Sequence, residues 1–274
     1  MVLPRWQLLN GKTAAITGGI TGIGRAIALE FVRQGCNVAI NHLGLDRDEY
    51  HKHSFLKEVQ TLRTAGQGRA GVGVGEVLEV AGDVTLPETS EILVQKAVDR
   101  WGKLDVFVAN AGVFKPAKFL EIKPELLEHS MSVNVNGTFY SCQAAARQMV
   151  KQGHGGSIIA ISSISALVGG GMQTHYTPTK AAVLSLVQSM AISLGKHKVR
   201  CNALLPGTIN TQLADHDMKN PIKRAYLEAR IPLGRIGSPE DMAGPAVFLA
   251  CEELSGYVNG APLLADGGMF VNLQ

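Results

Sequence analysis

Short apolar segments alternate with longer segments of helical hydrophobic spacing along the whole chain. The apolar segments are rich in Val, Ile, Leu and Ala and are bounded by turn-forming residues, as buried strands are. The strand candidates are TAAIT (13–17), NVAIN (37–41), GEVLEVAG (75–82), LDVFVAN (104–110), GSIIAIS (156–162), VRCNALLP (199–206) and APLLAD (261–266). Strands that alternate with helices in this way predict an α/β fold, a parallel sheet with helices on both faces.

The turn after the first strand is rich in glycine. It contains Gly18, Gly22 and Gly24, and the apolar-periodic segment RAIALEFVRQG follows directly. Glycine allows a tight turn and the close approach of backbone to a pyrophosphate, whose charge is stabilised by the N-terminus of the next helix. An ordinary turn has the same composition. The position of this one between the first strand and the first helix favours a dinucleotide-binding turn.

A second segment, SSISALVGGGMQTHYTPTK, carries candidate acid–base chemistry. Tyr176 and Lys180 are four residues apart, so they share one face of a helix. Pro178 lies between them, and proline is tolerated only in the first turn of a helix. The sequence therefore places Tyr176 at a helix start that opens onto a cleft.

This pair can act as a general base if the lysine stabilises a phenolate. An unperturbed tyrosine titrates near pH ~10, which is too high for a base at neutrality. A unit positive charge at about 4 Å contributes roughly 4 kcal/mol at an effective dielectric of about 20. Lys180 is therefore expected to lower the pKa of Tyr176 by up to ~3 units. For the spacing alone, a chance surface pair remains the alternative.

Composition narrows the range of partners. The chain has 274 residues, and 46% of them are apolar, which is enough for one large core. No segment has the composition of a linker, so we expect a single domain over residues 1–274. The net charge of +3 is dispersed, which argues against a nucleic-acid or membrane partner. Neither a signal-peptide core nor an apolar run of ~20 residues is found, so a cytoplasmic protein is expected.

The cysteines and the paired histidines carry no predicted metal site. The four cysteines, at 36, 142, 201 and 251, are scattered without C-x-x-C spacing, and we expect them to be reduced and mostly buried. His51 and His53 lie in a charged segment that is typical of a solvated helix face. No metal is therefore assigned. The glycine-rich stretch at residues 66–75 predicts a surface loop.

Six elements together resemble the short-chain dehydrogenase/reductase family. In chain order they are TGGITGIG, the NAG at 110–112, SVNVNG, the serine at 163, YTPTK and PGTINT, and they span nearly the whole chain. The resemblance implies a Rossmann-type doubly wound parallel sheet of about seven strands, with helices on both faces and ligands where the strand order reverses. Within the family, RIPLGRIG, DGGMFVNLQ and the segment from 156 to 180 most resemble the fungal L-rhamnose 1-dehydrogenases.

The resemblance implies an oxidation carried out by four residues, Asn134, Ser163, Tyr176 and Lys180. Tyr176 would take the proton of a substrate hydroxyl while hydride leaves the same carbon for the nicotinamide. Ser163, thirteen residues before Tyr176, is preferred to Ser162 for holding the reacting oxygen. Lys180 would also bind the ribose, and Asn134 would bend its helix and hold a water that relays protons. On a sugar the oxidised carbon would be C1 and the product a lactone.

The same resemblance implies cofactor and substrate residues at the strand ends. The cofactor residues are Gly18, Thr21, Gly22, Ile23, Gly24, Asn41, Asp83, Val84, Asn110, Ala111, Gly112, Tyr176, Lys180, Pro206, Gly207, Ile209 and Thr211. The substrate residues are Ser163, Ser165, Gln173 and Tyr176, with Thr174, His175, Asn210 and Gln212 as further polar candidates or, equally, as solvated loop residues. The stretch from Leu213 to Ile236 resembles the family's substrate lid.

The choice of dinucleotide is open, NAD or NADP. An NAD-binding fingerprint expects an acidic residue about 20 positions after the glycines, but the second strand ends in Asn41-His42 and the first carboxylate is Asp46. Thr21 stands where many NADP-using relatives have a basic residue, and Arg25 is the nearest cation. The resemblance to sugar dehydrogenases gives a slight preference for NAD.

Two other functions fit parts of the pattern. A ketoreductase acting on a β-keto acyl or other small carbonyl compound would use the same four residues in reverse. A non-catalytic dinucleotide sensor is disfavoured, because such proteins lose the tyrosine or the lysine. The helices at 138–149 and after Lys180 lack a clear polar face, so the family's homotetramer is expected, with the tail FVNLQ completing a neighbour's pocket.

Overall fold

Seven parallel strands form one sheet in the computed structural model of the protein, which describes residues 7–66, 73–214 and 218–272. The strands are β1 (Thr13–Ile16), β2 (Asn37–His42), β3 (Val77–Ala81), β4 (Val106–Ala109), β5 (Gly156–Ile161), β6 (Val199–Pro206) and β7 (Pro262–Ala265). Their order across the sheet is β3-β2-β1-β4-β5-β6-β7. All seven lie within the segments predicted from the sequence or extend them by one residue, so the predicted α/β fold is confirmed.

Helices connect the strands and cover both faces of the sheet. They are α1 (Gly22–Arg33), α2 (Asp46–Gly66), α3 (Pro87–Trp101), α4 (Pro124–Met131), α5 (Thr138–Gln152), α6 (Thr177–Leu194), α7 (Pro221–Arg230), α8 (Ala243–Ala250) and α9 (Glu252–Ser255). A π-helical segment, Ser132–Gly137, joins α4 to α5. The strand order reverses between β1 and β4, which places a crevice at the carboxyl ends of these two strands.

The core lies in two layers because successive strand residues point to opposite faces. Ile16 packs with Phe31 of α1 in one layer, and its neighbour Ala15 packs with Leu93 of α3 in the other. The layer of Ile16 also contains residues of α2 and α8, and the layer of Ala15 contains residues of α5 and α6. Strands buried on both faces explain the continuous apolar runs in the sequence.

The four cysteines are buried and free, as predicted. The predicted glycine-rich loop lies largely outside the described residues, which resume at Gly73 after α2 ends at Gly66. Within the described ranges, no helix has the length and apolar character needed to cross a membrane, and no group of three or more potential ligand side chains could hold a metal ion.

Candidate active site

The glycine turn between β1 and α1 is built for close contact with a ligand backbone. Gly18 has a φ of 64° and Gly22 a φ of 52°, both in the left-handed region that favours glycine. A Cβ at Gly24 would lie 2.3 Å from the Gly18 carbonyl oxygen and 2.4 Å from Asn110 Nδ2. Thr21 precedes α1 without a side-chain capping hydrogen bond, so the first N–H groups of the helix remain available to an anion.

A hydrogen-bonded link holds this turn against the end of β4. The Asn110 side chain donates to the carbonyl oxygens of Thr17 (2.9 Å) and Gly18 (3.0 Å). In return, the Thr17 hydroxyl accepts the backbone N–H groups of Asn110 (3.0 Å) and Ala111 (3.1 Å). Asn110 therefore fixes the two sides of the crevice relative to each other, and it does more than leave room for a ribose.

Tyr176 and Lys180 lie where the sequence placed them, at the start of α6. Tyr176 directly precedes the helix and Pro178 is in its first turn. The Lys180 ammonium lies 5.6 Å from the centroid of the Tyr176 ring and donates a 2.9 Å hydrogen bond to the Ile161 carbonyl oxygen at the end of β5. A Cβ at Gly112 would lie 3.6 Å from Lys180 Nζ, so the end of β4 also borders this amine.

The two neighbouring serines have different roles. The Ser162 hydroxyl donates to the Lys180 carbonyl oxygen at 2.8 Å and so supports α6. Ser163 is hydrogen-bonded to the Tyr176 phenol, and its Oγ also accepts the Ser165 backbone N–H at 3.0 Å. This geometry agrees with the sequence-based preference for Ser163 over Ser162 as the residue beside the phenol.

Burial dominates the acid–base properties of the pair. It raises the pKa of Tyr176 to about 12, and the hydrogen bond with Ser163 opposes this only in part. Burial also lowers the pKa of Lys180 to about 8. The sequence-based expectation of a net decrease in the pKa of Tyr176 is therefore wrong for this structure, because the loss of solvation outweighs the hydrogen bond with Ser163.

Asn134 lies in the π-helical segment and is fully buried. Its Oδ1 accepts the Val113 N–H at 2.8 Å, and its Nδ2 donates to the Val113 carbonyl oxygen at 3.0 Å and to the Thr179 hydroxyl at 3.1 Å. The predicted irregularity of this helix is present. The amide itself makes structural hydrogen bonds that connect the loop after β4 to the first turn of α6.

The candidate substrate residues fall into two groups. Ser165 donates to Gln173 Oε1 at 2.9 Å, and together with Ser163 they border the Tyr176 side of the site. The four other polar candidates are more dispersed: Thr174, Asn210 and Gln212 are exposed, whereas His175 is buried.

His175 differs from the other candidates because it does not face an open pocket. Its ring stacks on Phe114 with centroids 6.1 Å apart, and Phe114 in turn lies 4.9 Å from the Tyr176 ring. Both ring nitrogens of His175 are buried without a hydrogen-bond partner among the described residues. Phe114 therefore packs between the rings of His175 and Tyr176, and the two side chains support the position of the phenol ring.

The loop after β6 covers the glycine turn. A Cβ at Gly22 would lie 3.4 Å from Thr211 Cγ2, and Ile209 is buried, with a bridge to Gly237. The described part of the predicted lid, 213–214 and 218–236, continues from this loop and contains α7. The C-terminal segment contacts it, since Asn272 Nδ2 donates to the Arg230 carbonyl oxygen at 3.0 Å.

The adenosine end of the crevice contains Asn41, Asp83 and Val84. Asn41 is buried and donates to the Gly82 carbonyl oxygen at 2.9 Å, so its side chain braces the ends of β2 and β3. Asp83 is exposed, whereas Val84 is buried and packs where Gly137 leaves room for it. In this geometry the exposed Asp83 side chain can contact a ligand, and the buried Val84 can line the bottom of the crevice.

These features fit a dinucleotide. The glycine cradle has no space for side chains, the α1 N-terminus can hold a pyrophosphate, and the Tyr176–Lys180 pair stands beside the same crevice. Thr17, Phe114 and Thr179 also belong to this site, although no motif in the sequence marked them. Their contacts join segments that are far apart in the chain. Only Thr17 had a local signal, because it ends the first predicted strand.

Comparisons with known proteins agree with this geometry. A family profile described as enoyl-(acyl carrier protein) reductase matches residues 18–270. The L-rhamnose-1-dehydrogenase of Scheffersomyces stipitis is 56% identical over 97% of this chain and 99% of that protein. The L-rhamnose 1-dehydrogenase (NAD(P)(+)) of a Sphingomonas species is 52% identical over 98% of this chain and 100% of that protein.

A solved structure is similar in fold as well as in sequence. The gluconate 5-dehydrogenase of Burkholderia cenocepacia, in complex with NADP and tartrate, superposes with a TM-score of 0.84 at 28% identity, covering 96% of each chain. The three proteins thus match nearly the whole length of the chain, including the crevice at the ends of β1 and β4.

Replacing Gly24 with alanine tests the glycine cradle. We expect the G24A variant to bind NAD and NADP at least about tenfold more weakly, a loss of about 1.4 kcal/mol, because the new methyl group would overlap the Gly18 carbonyl. Isothermal titration calorimetry measures this affinity. Gly244→Ala is the matched control, since it lies exposed in α8 with nothing within 4 Å. Wild-type affinity in G24A would contradict the assignment.

Proposed function

Because the chain belongs to the short-chain dehydrogenase/reductase family, we propose that it is an NAD(P)-dependent sugar dehydrogenase that oxidises L-rhamnose, or a similar aldose, at C1 to the lactone. The observation that carries the proposal is the Tyr176 phenol, hydrogen-bonded to Ser163 and close to the Lys180 amine at the mouth of the glycine crevice. The full-length similarity to the two rhamnose dehydrogenases supports the choice of sugar.

In this proposal each residue acts on the hydroxyl that is oxidised. Ser163 holds the hydroxyl oxygen near the phenol, and Tyr176 removes its proton. Lys180 stabilises the phenolate and binds the ribose. A nicotinamide dinucleotide, which the glycine turn, Tyr176 and Lys180 would hold, would supply the hydride acceptor for the carbon that is oxidised. Asn134 keeps the first turn of α6 in place through the loop after β4.

The polar side chains beside the phenol favour a sugar over an acyl chain. Ser165 and Gln173 present hydroxyl and amide groups, which can exchange their mutual 2.9 Å hydrogen bond for bonds to sugar hydroxyls. The second candidate, a ketoreductase, shares only an acyl substrate class with the matching family profile, because an enoyl-(acyl carrier protein) reductase reduces a carbon–carbon double bond and not a carbonyl.

We propose that both dinucleotides are used, with a slight preference for NAD. Arg25, the cation nearest in sequence to the glycine turn, donates to Glu58 Oε2 at 2.9 Å and lies over the Phe55 ring at 5.5 Å, so it is already engaged by α2. β2 ends in Asn41 and His42 and not in a carboxylate. The carboxylates of Asp48 and Glu79 lie 4.0 Å and 3.6 Å from the His42 ring nitrogens, so acidic groups border this end of the strand without belonging to it. Neither cofactor is strongly selected by these residues.

Steady-state assays with a substrate panel test the proposal. We expect oxidation of L-rhamnose and related aldoses with NAD and NADP, lactone as product, and no comparable reduction of β-keto acyl substrates. Tyr176→Phe should lower kcat/KM by about 10²–10⁴-fold, the usual contribution of a general base, with dinucleotide affinity retained. Tyr257→Phe is the matched control because that ring is fully exposed.

Three results would contradict parts of this proposal. A fully active Y176F variant would refute the role of the phenol. Efficient reduction of acyl substrates without sugar oxidation would favour the ketoreductase. A large NADP preference would contradict the proposed slight preference for NAD.

The rate of oxidation should depend on pH in a definite direction. Since burial raises the pKa of Tyr176, its phenolate is a minor form at neutral pH, and each pH unit below that pKa reduces it about tenfold. We expect log kcat/KM to rise from pH 6 towards pH 8 with a slope near one. Above pH 8 the slope should fall as Lys180, with its pKa of about 8, loses its charge. A profile that is flat from pH 6 to 9 would disagree with this account.

We also propose a cytoplasmic homotetramer. The helix α6 has no charged side chain besides the buried Lys180, yet its Ile192 is 86% exposed. Phe139 on α5 is also exposed. Apolar helix faces of this kind are stable when two copies of the chain cover each other's faces.

Light scattering tests this assembly. We expect the wild type to be a tetramer at micromolar concentration and Ile192→Glu to form a smaller species, because the interface would then bury an unpaired charge. Ile222→Glu on α7 is the matched control, since Ile222 is 83% exposed. A monomeric wild type would rule the proposal out.

A further inference from the structure

The Thr179 hydroxyl stands between two residues of the proposed catalytic group. It accepts a 3.1 Å hydrogen bond from Asn134 Nδ2 and donates a 2.7 Å hydrogen bond to the Tyr176 carbonyl oxygen. Thr179 is fully buried, as is Asn134. We propose that Thr179 is a positioning residue that transmits the fixed position of Asn134 to the backbone of Tyr176, and thereby sets the phenol for proton transfer. This inference rests on the proposed role of Tyr176 as base.

The first half of the connection is rigid because the Asn134 amide has no freedom left. Its oxygen accepts the Val113 N–H, and its nitrogen donates to the Val113 carbonyl oxygen and to Thr179. Val113 directly follows Gly112 at the end of β4. The position of Asn134 is therefore fixed relative to the sheet. The hydrogen bond to the Thr179 hydroxyl then fixes the first turn of α6 relative to Asn134.

The second half of the connection reaches the phenol through one residue of backbone. The Tyr176 carbonyl oxygen accepts the backbone N–H groups of Thr179 (2.9 Å) and Lys180 (3.2 Å) in addition to the Thr179 hydroxyl. A change in the tilt of this carbonyl would shift the Tyr176 side chain relative to the Lys180 side chain, which lies one turn further along α6. Their relative position decides how well the amine stabilises the phenolate.

A threonine that bonds back to a carbonyl in its own helix is common and needs no function. What distinguishes Thr179 is the second bond, made to a buried amide on a different element. Without the hydroxyl, one Asn134 N–H would be buried and unpaired, and such a group relaxes by moving until it finds a partner. The first turn of α6 would then lose its connection to the loop after β4.

The decisive comparison is between valine and serine at position 179. Thr179→Val keeps the shape and removes the hydroxyl, whereas Thr179→Ser keeps the hydroxyl. We expect T179V to lower kcat for sugar oxidation at least about tenfold, since small misplacements of reacting groups have effects of this order or more. The KM for the dinucleotide should stay within about twofold of wild type, well short of a tenfold change in affinity. T179S should recover most of the rate.

A pH profile separates positioning from a general loss of stability. In T179V the midpoint of the rise in kcat should move to higher pH, because the amine stabilises the phenolate less well. Thr177→Val is the matched control on the same turn, since its hydroxyl makes no hydrogen bond to the described residues. T177V should keep the wild-type profile. If T179V does not fold, Thr179→Ala is measured in its place.

The outcomes separate this inference from the proposed function. Wild-type kcat and pH profile in T179V, or equal impairment of T179V and T179S, would overturn the role of Thr179 while an inactive Y176F variant still upheld the base. An active Y176F variant would overturn the base itself. Asn134→Ala combined with T179V should lower kcat no further than the more impaired single variant, and additive losses would contradict a single connection.

Discussion

The central constraint of this structure is the burial of a phenol and an amine side by side. Burial favours the uncharged form of each group, so it raises the pKa of Tyr176 and lowers that of Lys180. A neutral pair and a phenolate–ammonium pair contain the same number of protons, and the two groups therefore titrate as a unit. The hydrogen bonds from Ser163 to the phenol and from Lys180 to the Ile161 carbonyl hold this unit in one geometry.

The fold serves that geometry by bringing strand ends together. The reversal of strand order between β1 and β4 opens the crevice, and the Thr17–Asn110 hydrogen bonds keep its two sides at a fixed separation. Small residues at the ends of both strands leave backbone, rather than side chains, facing a ligand. The result is that a dinucleotide and a substrate hydroxyl can approach the same phenol from different sides.

The parts of the fold predicted from the sequence were those with local signals. Apolar runs predicted the strands, and Pro178 placed the start of α6 because a proline in the first turn is a local steric effect. The glycine turn was also predicted from a local signal, because the tight turn needs backbone conformations that glycine adopts easily. The Asn110–Thr17 link joins residues 93 positions apart, and the Asn134–Thr179 bond joins residues 45 apart, so no local pattern predicted either.

The error in the expected pKa of Tyr176 has the same origin. The sequence placed a cation near the phenol but could not give the loss of solvation, which depends on everything packed around it. Arg25 is a similar case: as a free cation it would favour NADP, but its contacts with Glu58 and Phe55 become visible only in the folded protein. The sequence shows which side chains are charged, but only the folded structure shows which groups they contact.

Substrate selection depends on how the polar groups beside the phenol are paired. Ser165 and Gln173 satisfy each other at 2.9 Å, so a ligand gains affinity only if it replaces that bond with bonds of its own. A sugar can do so with adjacent hydroxyls, whereas an acyl chain has no groups that could replace this bond and would gain no affinity from the two side chains. Sites built to hydrogen-bond hydroxyls discriminate strongly against ligands that lack them. The paired state of these two side chains thus favours a polyhydroxylated substrate more than their polarity alone does.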